Sequence, residues 1–248
     1  MRHTPESVLE ELKNLAEDDY KAFSRKIIPT RRRILGVRLP ALRKIARRIA
    51  EENDMGFVRS DKPDIHEMIM LEGMVLAFLD EPFKNLLPFT ETFLKKTDNW
   101  AQIDSTVCRF KHMADEKEDV LEAVRRWLTS DMEFVVRAGF VILLTHYVRE
   151  QNLGMIFDLS QSVSHTGYYA RMANAWLISV CMAKYPLETI VFLQGNALDD
   201  ETHNKAIQKS RESRRVSKDH KALIKGLKRP RERRVSSSDW SFSERGGF

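Results

Sequence analysis

Apolar residues recur at spacings of three and four along nearly the whole chain, and this periodicity restricts the fold more than any other feature. Residues 5–16 place Val8, Leu9, Leu12 and Leu15 at such spacings, the stripe that buries one face of an α-helix. Pro40 opens the segment ALRKIARRIA, a position where its missing N–H costs nothing. Leu42, Ile45, Ala46 and Ile49 fall on one face of that helix, and Arg43, Lys44, Arg47 and Arg48 on the other. Pro63 opens a further helix through Ile65, Met68, Ile69, Leu71, Met74, Val75, Phe78 and Leu79. The same pattern predicts helices over 83–96, 99–111, 115–129, 131–148, 152–162, 166–184, 186–195, 199–212 and 217–228. No segment alternates with period two. The chain's 10 Gly and 8 Pro are too few for a many-stranded sandwich or barrel, where turn signals recur every ~8–12 residues. The expected fold class is all-α.

Short helices joined by short loops favour consecutive antiparallel hairpins. Trp100, Arg137 and Trp176 stand 37 and 39 residues apart, near the ~40–47-residue period of two-helix HEAT repeats. Residues one repeat apart occupy equivalent places on successive units and line the same surface. The expected architecture is therefore an α-α superhelix, a solenoid of HEAT-like helical hairpin repeats, forming one domain over residues 1–228. Residues 229–248 lack apolar periodicity and read as a disordered, basic, Ser-rich tail.

Composition removes several function classes. Two cysteines, Cys108 and Cys181, make neither a disulfide framework nor a Cys-rich zinc site. The first residues, MRHTPESVLEELKN, show no apolar leader, and no stretch has 18 or more uninterrupted apolar residues. The expectation is a monomeric cytoplasmic protein of a reducing compartment, without a membrane partner. The seven His show no metal-ligand spacing, and HExxH is absent. GxxxxGK[ST], GxGxxG and GxSxG are absent too, which disfavours nucleotide hydrolysis, dinucleotide redox chemistry and serine-hydrolase activity. No metal and no cofactor is expected. His66 and Glu67 begin the HEMIMLEG helix and read as capping groups.

The net charge of +5 conceals a polarised chain. Residues 25–48 hold ten Lys/Arg and no acid, and residues 203–234 hold thirteen against three acids. Residues 49–202 hold fourteen bases against twenty-five acids. Two basic segments around an acidic body fit a polyanion gripped from both ends; solvated helix faces are the plainer alternative.

Three segments carry residues that look out of place for a core. In NWAQIDSTVCRF, Trp100, Ile103, Val107 and Phe110 form an apolar arc with Asp104 inside it. A carboxylate there needs a partner or a working cleft. In FVVRAGFVILL, Arg137 is the sole charge, and its guanidinium requires an anion because it cannot deprotonate. The candidates are a carboxylate, with Asp104 the obvious one, and a ligand phosphate, and both can hold at once. In YYARMANAWLISVC, Tyr169 and Trp176 lie two helical turns apart, a spacing that suits core or cleft. One carboxylate, one guanidinium and two indoles suit a cationic or sugar–phosphate ligand.

The stretches IIPTRRRILGVRLPALRKIA, HEMIMLEG, DNWAQIDS, EFVVRAGFVILL, YYARMANAWLISVC and HNKAIQKSRESRRVS together resemble the HEAT-repeat DNA glycosylases of the DNA alkylation repair group, the AlkD-like proteins. The likeness runs from about residue 5 to 228. It implies monofunctional excision of N3- or N7-alkylated purines from duplex DNA, as in base excision repair. By this resemblance Asp104, Trp100 and Trp176 are the catalytic residues and Arg137 binds DNA phosphate. Arg38, Arg43, Lys44 and Arg47 of the first basic segment, with Lys205 and Lys209 of the second, are expected as further phosphate contacts.

Alkylation at these positions leaves the base positively charged, so it departs readily. Asp104 would then stabilise the sugar oxocarbenium ion and orient water. The chain departs from better-studied members at Asn99-Trp100-Ala101, with no second aromatic, and at Trp176-Leu177-Ile178-Ser179, with no following basic residue. Those departures leave an alternative: a catalytically inactive relative that serves as a DNA-binding or protein–protein scaffold.

Overall fold

The computed structural model describes residues 3–52, 55–114 and 118–230. These residues form α1 (Pro5–Asn14), α2 (Asp18–Ile27), α3 (Leu39–Glu51), α4 (Met55–Arg59), α5 (His66–Phe78), α6 (Phe83–Lys96) and α7 (Trp100–Thr106). The second half follows with α8 (Glu118–Leu128), α9 (Glu133–Ile142), α10 (Leu153–Ser162), α11 (Tyr168–Lys184), α12 (Pro186–Gln194), α13 (Asp200–Glu212) and α14 (Lys218–Lys225). Among the described residues there is no strand, only an isolated bridge between Arg33 and Ile65. The all-α expectation holds.

Helices α3, α5, α7, α9, α11 and α13 pack each on the next in one row. Of the even-numbered helices, α4 and α6 lie on α5, α8 on α9, α10 and α12 on α11, and α14 on α13. Position in the row explains composition. α5 buries every residue from His66 to Ala77, and α9 buries Val135 through Ile142, because helices covered on several sides need apolar residues all round. α8 lies against the row with one face, so it buries just Val120, Ala123, Val124, Trp127 and Leu128. Trp100, Arg137 and Trp176 stand on α7, α9 and α11, successive members of the row, as their spacing predicts.

Local chemistry moves several boundaries. The helix expected over 99–111 stops at Thr106 and continues as short 3₁₀ turns, Val107–Arg109 and Lys111–Met113. Thr106 Oγ1 donates to the Gln102 carbonyl at 2.6 Å, the back-bonding that weakens a helix ladder. The helix expected over 131–148 gives way after Ile142 to a π-helical turn, Leu143–Tyr147. Pro63 does not open α5: Ile65 is extended, bridges Arg33 and caps the helix instead. α2 and α4 are unanticipated; α2 buries only Ser24, so its sequence carries no core stripe.

Glu67 caps a loop rather than its own helix. Its buried carboxylate accepts the N–H of Leu35 at 2.9 Å and of Gly36 at 2.7 Å. Gly36 has φ +98°, and a Cβ there would stand 2.5 Å from the Glu17 carbonyl and 2.6 Å from Lys21 Cβ, so glycine is required on both counts. At the other end Arg229, the first residue of the expected tail, donates to the Asn196 carbonyl at 2.8 Å and is held by Asn204 at 2.9 Å. Residues 231–248 of that tail lie outside the described residues.

Candidate active site

α7 is short, and its start is tightly determined. Asn99 caps it, with Oδ1 accepting the Gln102 N–H at 3.1 Å, which satisfies one of the orphan donors of a helix N-terminus. Gln102 Oε1 in turn accepts the Asp98 N–H at 3.0 Å. Arg32 pairs with both Asp64 and Asp98, tying this turn to the loop before α5. Trp100 and Asp104, one turn apart, therefore stand on a fixed support.

Arg137 reaches from α9 and grips Asp104 with two parallel bonds, Nε to Oδ1 at 2.9 Å and Nη2 to Oδ2 at 2.6 Å. Its Nη1 donates to the Tyr169 carbonyl at 2.9 Å. The anion required by the lone guanidinium of the apolar run is thus Asp104. Exposure is unequal: the Arg137 side chain is 8% accessible and that of Asp104 22%. The guanidinium lies inside the protein, while the carboxylate keeps an open side. Three of the five guanidinium N–H groups are engaged, leaving two on the Nη atoms. The Tyr169 N–H is taken by the Glu133 carboxylate, so Glu133 and Arg137, one turn apart on α9, together hold the first turn of α11.

Lys209 of α13 is half-buried, within electrostatic range of this pair. Burial pushes its ammonium below the usual lysine range and Arg137 adds to the effect, with Asp104 and Glu212 acting in the opposite sense. Cys108 follows Asp104 by one turn and donates to its carbonyl at 3.0 Å. Burial raises the thiol's pKa, which disfavours the thiolate there.

The two indoles line separate hollows. Trp100 Nε1 donates to the Ile27 carbonyl at 3.2 Å, and the ring lines a pocket of about 90 Å³ with Tyr20, Phe23 and Ile27 of α2 and Ser105 of α7. Trp176 lines an open groove of about 450 Å³ with Lys184, Lys209, Arg214 and Arg215. Of these, Tyr20, Phe23, Ile27, Ser105, Lys184, Arg214 and Arg215 are not among the residues the sequence pointed to; the spacing of Tyr20, Phe23 and Ile27 is the signal α2 offers.

The expected phosphate contacts divide by what already holds them. Arg43, Lys44 and Arg47 line an open groove of about 570 Å³ along α3 with Arg48 and Glu51. Arg47 lies over the Phe78 ring, 5.1 Å from its centre. Arg38 is engaged by Glu17 at 2.9 Å and stacks on Tyr20. Lys205 donates to Gln208 at 3.1 Å.

Among the described residues no group of three or more His, Cys, Asp or Glu is placed to hold a metal ion. Nor is any helix there long and apolar enough to cross a membrane. No curated protein matches the sequence. The family model described as DNA alkylation repair enzyme matches residues 8–215, a span that holds Trp100, Asp104, Arg137, Trp176 and Lys209, and the chain belongs to that family.

Proposed function

We propose that the protein is a DNA glycosylase that releases N3- or N7-alkylated purines from duplex DNA and so initiates base excision repair. The row of helices with its second set of partners reads as a HEAT-like α-α superhelix, with the residues of α7, α9, α11 and α13 turned toward DNA. The observation that carries this reading is the Asp104 carboxylate: fixed bidentately by Arg137, yet open on one side.

A carboxylate held in one orientation is preorganised for charge that develops late. As the bond from C1′ to the cationic base lengthens, positive charge grows on the sugar, and Asp104 stabilises it at no cost of reorganisation. The same carboxylate orients the water that attacks C1′, and the base leaves neutral. Arg137 is the positioning residue, and its two remaining Nη hydrogens serve a phosphate beside the lesion. Trp100 and Trp176 pack on the sugar and on the cationic nucleotide. Arg43, Lys44 and Arg47 along α3, with Lys205 and Lys209 on α13, meet the flanking phosphates.

A second reading draws on the same geometry. Both carboxylate oxygens accept from Arg137, as they would in a bridge that merely joins α7 to α9 in a DNA-binding relative without excision. Methylated duplex separates the two. A glycosylase releases 7-methylguanine, and Asp104→Asn abolishes the release while DNA binding persists. Salt-dependent binding without base release favours the non-excising relative, and absence of both overturns each reading.

A further inference from the structure

We propose that Lys209 is an amine nucleophile toward the aldehyde of an abasic deoxyribose, giving the protein a second, strand-cleaving activity on the product of base excision, in departure from the monofunctional excision that the family resemblance implies. It rests on the glycosylase reading for the source of that aldehyde. Its groundwork is the surroundings of the side chain. Lys209 shares an open groove of about 450 Å³ with Trp176, a volume within the ~300–1,000 Å³ of ligand clefts.

Its Nζ makes no hydrogen bond or ion pair among the described residues, whereas the other amine of this groove, Lys184, donates to the Val148 carbonyl at 3.2 Å. A lysine that serves purely as a phosphate contact is normally left in solvent, as Lys44 is. Lys209 is instead half-buried and crowded by cations, with Arg137 from α9 and Lys205 from its own helix acting on it and Arg214 and Arg215 lining the same groove. Desolvation and neighbouring positive charge are the two means by which a protein frees an amine from its proton. Glu212 and Asp104 oppose them, and the net direction is downward.

The chemistry closes without a further reagent. The neutral amine adds to C1′ of the open-chain sugar, and the carbonyl oxygen takes up protons and leaves as water, forming an iminium ion. A C2′ proton then passes to solvent. Its electron pair forms the C2′–C3′ double bond as the C3′–O bond breaks, and the 3′-phosphate leaves with the downstream strand. Water hydrolyses the remaining imine and returns Lys209 as the free amine.

The test supplies the aldehyde directly, in a duplex carrying one abasic site made by uracil excision, so that it does not depend on alkylpurine release. Borohydride reduces the imine to a stable amine, and the expected result is a covalent protein–DNA adduct whose tryptic peptide carries the sugar remnant on Lys209. Lys209→Arg, which keeps the charge but forms no such imine, should lose the adduct while its thermal melt remains cooperative. No adduct with the unaltered protein, a remnant on another lysine, or an undiminished adduct in Lys209→Arg overturns the proposal. An adduct on Lys209 in a protein that fails to release 7-methylguanine supports the nucleophile and refutes the glycosylase reading alone.

Discussion

Arg137 and Asp104 should be strongly coupled in stability, and the size of that coupling follows from how each is buried. Arg137→Met keeps much of the stem volume but removes two bonds to a carboxylate and one to the Tyr169 carbonyl. Hydrogen bonds to charged groups contribute about 1.5–3 kcal/mol each, and breaking a fully buried pair costs about 3–5 kcal/mol. Asp104, with 22% of its side chain exposed, regains part of its hydration once Arg137 is gone, which brings the expected loss to about 2–4 kcal/mol. Asp104→Asn strands the more buried partner, which has no route to neutrality, so its loss should be similar or larger. The double variant should then be more stable than the sum of the singles implies, by about 2 kcal/mol. Urea and thermal unfolding of the four proteins measure this directly; for a chain of this size each kcal/mol shifts Tm by about 2–4 °C. Additivity within about 0.5 kcal/mol would refute the claim that the two groups act as one unit. The cycle also fixes the temperature below which base release by Asp104→Asn reports chemistry rather than unfolding.

Gly36→Ala should destabilise the fold by about 1–3 kcal/mol, because φ +98° is strained for alanine and the new Cβ meets the Glu17 carbonyl; an unchanged urea midpoint contradicts this. His112, largely desolvated and within electrostatic reach of His146, has its pKa pushed down from 6.5 to about 4. The unfolded chain therefore binds a proton near pH 6.5 that the folded chain refuses until about pH 4. The resulting stability is complete above pH 6.5 and lost as pH falls toward 4, by up to about 3 kcal/mol. His112→Gln should flatten that slope in denaturant titrations across the same pH range. For DNA, Lys44→Ala and Arg47→Ala should each reduce the log–log salt dependence of binding by about 0.9, and a slope unaltered in both would remove α3 from the interface.

The fold was legible where burial is one-sided. α6 runs over Phe83–Lys96 and α10 over Leu153–Ser162, the bounds their apolar stripes predict, because a half-buried helix writes its orientation into the sequence. α2 buries almost nothing, and its mark is limited to the short spacing of Tyr20, Phe23 and Ile27. Neither did the end of α7 announce itself, since it depends on a threonine hydroxyl choosing the Gln102 carbonyl. The ion pair was legible for a different reason: a guanidinium in a run of apolar residues can survive only against an anion, and one carboxylate sat in a matching apolar arc. Direction was not legible. Spacings of 37 and 39 residues place Trp100, Arg137 and Trp176 on successive helices of the row, yet they say nothing about rotation, and the two indoles line different hollows. Lys209 comes within electrostatic range of the pair from α13, through packing that no local pattern encodes.

The charge of a segment and the charge of a surface are different quantities, and the difference lies in which charges are paired. The central 49–202 stretch carries many more acids than bases, which argues against a basic face along its helices if every charge is taken as free. Several of those acids are already engaged within the fold. Glu67 is wrapped by the backbone of Leu35 and Gly36. Glu72 is buried against Lys62 and Lys96, Asp64 and Asp98 hold Arg32, and Asp104 holds Arg137. An acid paired with a cation exerts little field at a distance, as does the cation that pairs it, whereas Lys44, Arg214 and Arg215, outside the central stretch, stand exposed along the grooves. The potential felt by an approaching polyanion is set by this unpaired remainder rather than by the sum over residues. Neutralising an internal acid should therefore perturb folding first and DNA affinity little, while removing an exposed groove cation should do the reverse. If Glu72→Gln weakened DNA binding at a temperature where the protein stays folded, that division between spent and free charge would be wrong.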